Sequence, residues 1–258
     1  MKVLFLSNTA GQGHHSTANA LEEMLKSRGI ECRVLDTYAY VNPVLCQTVA
    51  QGYLMATSIT PNAYGSFYRA AEKKDKNESM HTPTNVANTV MAIKLKKYLR
   101  KEFKPDVIVC THVFSAQLVN VMKAKGWIDI PVIGIITDYT IHPFWQDVGN
   151  IEYIVTASEL LTLQALKRGI KREQILPLGI PINPKFSISV EKTEARRKLS
   201  IDENKRTILL MSGSMGHGNI SNVLKMIDSV ESDFQILAVC GNNRRAKRKI
   251  DNLKTQKK

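Results

Sequence analysis

The chain has 258 residues, 36 Lys and Arg against 23 Asp and Glu, 43% hydrophobic residues and four cysteines. That is enough chain to bury a core of between one and two domains, while no apolar run approaches the roughly 20 residues that span a bilayer. The formal charge of +13 sits in two places: residues 69–104 hold ten basic and four acidic groups, residues 241–258 hold eight and one, and the rest is neutral. A neutral body with two basic segments argues against a nucleic-acid fold, where cations stud the recognition element itself.

Residues 3–6 are a buried-strand run, residues 9–17 a glycine-containing turn, and Ala18, Leu21, Met24 and Leu25 one face of a helix that stops at Gly29. A second strand through Val34 and Leu35 completes a βαβ unit. The five residues after Lys2 are too few for the core of a signal peptide. Cys32, Cys46, Cys110 and Cys240 form no C-x-x-C pair, mostly lie in apolar runs, and are expected to be buried and reduced, as in a cytosolic protein.

Residues 43–68 are rich in apolar and aromatic groups, among them Tyr64 and Phe67, and residues 69–104 follow with a helix that sets Lys94, Lys97, Lys101 and Lys104 on one face. A connection of this length between sheet strands suggests a functional excursion. Aromatic groups beside positive charge suit an interfacial segment on anionic lipid. A helical layer on the sheet with a solvated lysine face is the plainer alternative.

Further strands are expected at 107–110, 132–136 and 153–155, the last followed by a helix from Ser158 to Arg168. Strands alternating with helices imply a parallel sheet covered on both faces. Residues 181–205 form a linker with a short helix at 193–199. A new βαβ unit then opens with a strand at 207–211, the loop Ser212-Gly213-Ser214-Met215-Gly216-His217-Gly218, a helix through Val223 and Met226, and a strand at 235–239. The expected domains are therefore 1–180, the linker 181–205, and the incomplete start of a second domain at 206–258.

The first glycine loop admits three readings. No Lys precedes Ser16 or Thr17, so it is no Walker loop. As a dinucleotide fingerprint it offers Gly11 and Gly13 with Asp36 as the acid, but Ser16 stands where the third glycine belongs. The third reading is catalytic: a His at a helix N-terminus feels the positive end of the dipole, which disfavours the imidazolium and suits a general base. His14 fits that role.

The run Gly11-Gln12-Gly13-His14-His15-Ser16-Thr17-Ala18-Asn19-Ala20 resembles the N-terminal motif of the diacylglycerol glycosyltransferases, a family of plant monogalactosyldiacylglycerol synthases and bacterial processive glucosyl enzymes related to MurG. Residues 105–114, Thr137-Asp138-Tyr139 with His142-Pro143-Phe144-Trp145, Gly179-Ile180-Pro181-Ile182 and residues 211–216 fall in the same order and spacing. The resemblance implies an α/β fold of GT-B type, with a Rossmann-like N-terminal domain that binds the acceptor and a second Rossmann-like domain that binds the donor. It also implies transfer of a hexose from a UDP-sugar to diacylglycerol with inversion, at the cytoplasmic face of the membrane, by a peripheral enzyme that needs no metal or cofactor for the chemistry.

Carried onto this chain, the resemblance makes His14 the base and Asp138 the group that orients it or the acceptor, with a helix or turn cap as Asp138's alternative role. Gly13, His15, His112, His142 and Trp145 are implied on the acceptor side, with core packing as the alternative for Trp145, while Tyr64, Phe67, Lys94 and Lys97 are the membrane-side candidates of the aromatic and basic excursion. Gly213, Ser214, Gly216 and Gly218 are implied on the donor diphosphate, with a plain tight turn as the alternative. The family's later donor motifs do not occur in these 258 residues. The chain is accordingly expected to be truncated within the second domain, and a lipid-binding module without turnover is the alternative function.

Overall fold

A computed structural model of the chain describes residues 1–8, 12–41, 83–213, 219–253 and 255. The chain divides into two compact units, Met1–Phe186 and Ser187–Lys258.

The first unit is built on a six-stranded, wholly parallel sheet: β1 Lys2–Ser7, β2 Glu31–Asp36, β3 Val107–Cys110, β4 Val132–Ile135, β5 Tyr153–Val155 and β6 Ile175–Leu176, in the order β2-β1-β3-β4-β5-β6. The helices are α1 Gln12–Lys26, α2 Thr37–Val41, α3 Pro83–Lys101, α4 Val113–Ala124 and α5 Thr162–Lys167. Alternation along the strands sends side chains to two cores. Leu4, Leu6, Ile108 and Cys110 pack with Leu95, Leu99, Leu118 and Met122 of α3 and α4. Val3, Phe5, Val109 and Ile135 pack with Ala18 of α1 on the other face. Both faces are therefore covered, as a parallel sheet requires, and the expected α/β architecture is what the structure shows.

The sheet is extended outward in one direction from β1 to β2 and in the other from β3 to β6, so the winding reverses between β1 and β3, which lie side by side and parallel with Leu6 opposite Cys110. In open sheets of this topology the crevice at the carboxyl ends of two such strands is the usual ligand site. Gly29 ends the first crossover in the left-handed region, at φ 75°, a conformation that glycine adopts without steric cost.

The helix expected to carry Lys104 ends earlier. Glu102 and Phe103 both donate to the Tyr98 carbonyl and close α3 at Lys101, and Pro105 disfavours helix at the residue before it. Ala92, Leu95, Tyr98 and Leu99 are buried while Lys97 and Lys101 are exposed, so residues 88–101 form the helical layer with a lysine face. The aromatic segment 43–68, including Tyr64 and Phe67, lies outside the described residues, as does Cys46. Cys32 and Cys110 are buried and free, and Cys240 is half-buried and free.

The second unit contains α6 Lys192–Lys198, β7 Arg206–Met211, α7 Ile220–Asp228, β8 Phe234–Val239 and α8 Arg244–Asp251. β7 and β8 pair in parallel, Thr207 opposite Gln235. Gln235 ties the two strands to the preceding loop by donating to Thr207 Oγ1 at 3.0 Å and to the Asp202 carbonyl at 2.7 Å. Ile220, Leu224 and Phe234 are buried, while Leu209, Met211 and Met226 stay largely exposed.

Candidate active site

The site is assembled at the carboxyl ends of β1, β3 and β4. α1 begins at Gln12, so Gly13 and His14 belong to its first turn rather than to the preceding loop. Past the end of β3, Thr111 donates its N–H to the Leu6 carbonyl at 3.0 Å, which extends the ladder by one residue and fixes the Thr111 carbonyl. His14 Nδ1 lies 2.8 Å from that carbonyl oxygen and 2.8 Å from Thr137 Oγ1.

A carbonyl only accepts, so Nδ1 carries the proton and donates it to Thr111, with the Thr137 hydroxyl oxygen alongside. The Nε2 lone pair is then left for other chemistry. The His14 pKa is lowered, chiefly because burial disfavours the charged ring; the Thr111 hydrogen bond and the Asp138 charge oppose that shift. The direction agrees with the sequence expectation, but burial, not the helix dipole, is its main source.

His112 lies edge-on to His14, ring centroids 4.5 Å apart. It is the N-cap of α4, its Nδ1 accepting from Phe114 N at 3.1 Å, so Nε2 bears its proton. Burial first, and then the neighbouring His14 and His142 rings, push its pKa down to about 3. Tyr38 stacks on Phe114 at 4.0 Å and meets the edge of His112 at 6.1 Å, which closes this side of the imidazole pair. His142 caps the 3-10 turn Pro143–Asp147 in the same way, accepting from Phe144 N at 3.2 Å. Its pKa is also lowered, chiefly by burial.

Asp138 is exposed, one residue beyond Thr137, and acts electrostatically on both His14 and His142. The contacts that orient His14 come instead from Thr111 and Thr137, two residues that the sequence did not single out. Beneath the site, Ser7 Oγ, both amide atoms of Asn8, Thr111 Oγ1 and His15 Nδ1 are buried without a partner among the described residues. Ser7, Asn8 and Thr111 are fully buried, and His15 is partly so.

An open cavity of about 390 Å³ adjoins the site, lined by Gly13, Ser16 and Asn19 of α1, by Thr137, and by residues of the segment 180–186 that include Ile182 and Phe186. A Cβ built on Gly13 would meet nothing within 4 Å, so this glycine opens onto free space. The polar helix end and the apolar far wall make the cavity amphipathic.

Three expected site residues stand apart. Trp145, implied on the acceptor side, is 4% exposed and packs in the core against Gly134, which corrects that assignment in favour of the packing alternative. Lys94, expected on the membrane side, is exposed but engaged within the unit: Nζ donates to the Val41 carbonyl at 3.3 Å and lies 5.4 Å from the Tyr40 ring centroid. Asp36, the acid of the dinucleotide reading, accepts from Ala39 N at 2.9 Å at the start of α2. In the second unit Gly213 turns the chain after β7 at φ 65°, and Ser214, Gly216 and Gly218 lie outside the described residues. No group of three His, Cys, Asp or Glu side chains among the described residues is arranged to hold a metal ion.

The family model for monogalactosyldiacylglycerol (MGDG) synthase matches residues 14–182, beginning at His14. A processive diacylglycerol beta-glucosyltransferase of Bacillus cereus is 30% identical over 258 residues, 99% of this chain and 64% of that protein. The chain thus spans less than two thirds of the length of the curated relatives it matches. Sucrose-phosphate synthase from Thermosynechococcus elongatus superposes with a TM-score of 0.53 at 12% identity, over 95% of this chain and 63% of that one. MurG of Acinetobacter baumannii gives 0.50 at 13%, over 97% and 62%. These likenesses establish the fold as GT-B type.

Proposed function

The chain belongs to the monogalactosyldiacylglycerol synthase family, and from that premise we propose that it is the acceptor-binding part of a hexosyltransferase that moves a sugar from a UDP-sugar to diacylglycerol. The observation that carries the proposal is the state of His14, a neutral imidazole whose Nδ1–H is held by the Thr111 carbonyl and whose Nε2 remains basic.

In the proposed step Nε2 takes the proton of the acceptor hydroxyl as its oxygen bonds to the anomeric carbon. The bond from that carbon to the UDP oxygen breaks, UDP leaves with the electron pair, and attack opposite the leaving group inverts the configuration. General-base help of this kind supplies about 10²–10⁴-fold in rate. His112 and His142, neutral and fixed as caps, shape the pocket and withhold positive charge from the base. Asp138 stabilises the imidazolium as it forms. UDP-sugar is the donor substrate, and the scheme assigns no resident metal or cofactor.

The cavity beside His14 is near the lower end of the volumes that hold drug-sized ligands. It suits a glycerol or sugar head and leaves two acyl chains outside. The acceptor is therefore drawn from a lipid surface, and we place the enzyme peripherally at the cytoplasmic membrane face. No helix among the described residues is long and apolar enough to cross a membrane.

The test is product formation from UDP-hexose and dispersed diacylglycerol, by this chain and by a fusion that adds the C-terminal part of the Bacillus cereus relative. Glycolipid whose anomeric configuration is opposite to that of the donor is expected. Absence of glycolipid from a fusion that binds UDP-sugar would contradict the proposal.

A further inference from the structure

We infer that the outer face of α5, with Tyr139 beside it, is the surface by which the first unit docks on an anionic lipid bilayer. The inference rests on the functional reading above, because that reading requires acyl chains to stay in a membrane while the head reaches His14.

The residues from Glu159 to Lys167 form a 3-10 turn running into α5. Leu161, Thr162 and Ala165 face the core. The complementary stripe is Leu160, Leu163 and Leu166, exposed by 90%, 72% and 38%, with Tyr139 exposed by 84%. Leu160 and Leu163 thus leave most of their apolar surface open on the outer side of the helix, and Leu166 leaves over a third of its own. A surface helix normally presents polar groups there, and a leucine stripe with an aromatic ring beside it is the composition of an interfacial contact.

Charge and position both select lipid as the occupant. Residues 159–174 contain Lys167, Arg168, Lys171 and Arg172 against Glu159 and Glu173, and Leu163 and Arg172 share one recess of about 240 Å³. Glu159 also lines that recess, but the segment keeps a net excess of two cations, and apolar side chains in a basic segment complement acyl chains beneath anionic headgroups. The patch also joins the site. Gln164 donates to Thr140 Oγ1 at 3.0 Å and accepts from Ile141 N at 3.2 Å, which fastens α5 to the segment running from Thr137 to His142. A bilayer seated on Leu160, Leu163 and Tyr139 lies beside the segment that holds His14, so a lipid head can enter while its chains remain in the membrane.

The experiment is sedimentation of the chain with vesicles of phosphatidylcholine alone and of phosphatidylcholine with phosphatidylglycerol. The paired substitution Leu160→Asp and Leu163→Asp should lower partitioning into the mixed vesicles at least about tenfold, with helical circular dichroism unchanged. Leu160→Asp alone should lower it less. Lys167→Glu with Arg172→Glu should remove the preference for mixed over neutral vesicles. A wild-type chain that sediments as strongly as the leucine pair, or that loses binding through Lys97→Glu instead, overturns this surface and leaves the functional reading standing. A wild-type chain that sediments with neither vesicle overturns the surface together with the membrane element of that reading. Glycolipid formation that fails while leucine-dependent sedimentation persists overturns the transfer reading and supports the surface.

Discussion

The Thr111 carbonyl oxygen lies 2.8 Å from Nδ1 of His14 and, through it, decides which nitrogen of the ring is basic. Thr111 continues β3 by one residue and His14 opens α1, so the contact joins the ends of two neighbouring strands across a separation of 97 residues. The tautomer of the proposed base is therefore a property of the sheet. Long-range proton–nitrogen spectra of the imidazoles should show His14 protonated at Nδ1, and His112 and His142 protonated at Nε2. The opposite tautomer for His14 would remove the basis of its role.

Thr137, two residues past the end of β4, supports the same nitrogen. Replacing it by Val keeps the shape and deletes the hydroxyl. Losing such a supporting contact typically costs about 10-fold or more in sites that depend on an oriented imidazole. The loss should fall on kcat with KM nearly unchanged, and Thr137→Ser should restore most of it. An equal loss in the Ser and Val variants would contradict orientation by the hydroxyl.

The pH dependence follows from signs alone. A base whose pKa is lowered stays neutral from pH 7 down through 6.5, so glycolipid formation should hold across that range and fall only in more acid solution. Asp138 raises the His14 pKa; Asp138→Asn should move the acid limb to still lower pH. A titration of His14 by nuclear magnetic resonance in both proteins checks this, and a limb that moves upward would refute the electrostatic link.

His112 supplies a stability test. Its folded pKa, about 3, lies below the ordinary value of 6.5. The folded state thus refuses a proton that the unfolded chain accepts, and the stabilisation present above pH 6.5 is lost progressively as pH falls toward 3. The urea midpoint should drop over that window by more in the wild type than in His112→Asn, which keeps an N-cap acceptor and cannot titrate. Equal slopes for the two proteins would contradict the assignment.

Gly134 tests the packing of Trp145. A Cβ at Gly134 would sit 2.7 Å from Trp145 Cζ3 and 2.8 Å from Ile154 Cδ1. Gly134→Ala should destabilise by about 1–3 kcal/mol through overpacking, and Trp145→Ala by about 3–5 kcal/mol through the void it leaves. Unchanged stability in both would return Trp145 to the surface.

How far the sequence was legible depends on where each signal is local. The strands of a doubly covered parallel sheet are short apolar runs, so Val3 to Leu6 and Val107 to Cys110 announce themselves, and the Gly-x-Gly-His run points to His14 without tertiary information. Thr111 and Thr137 could not be found in that way: one acts through its backbone, and both reach His14 across about a hundred residues of chain. Trp145 misled because an amphipathic ring three residues after His142 looks functional until the absent side chain of Gly134 is seen to make room for it. Lys94 fitted a charged helical face, yet α2 packs close enough for the ammonium to find the Val41 carbonyl. The leucines at 160, 163 and 166 passed unnoticed because their helix also offers Leu161 and Ala165, and only the fold shows which set is buried.

Glycolipid formation by the fusion carrying His14→Asn, measured beside the parent with labelled UDP-hexose and diacylglycerol, tests whether His14 is the base. Turnover should fall at least about 10²-fold, with UDP-sugar affinity and vesicle sedimentation unchanged. Turnover within a few fold of the parent would contradict His14 as the base.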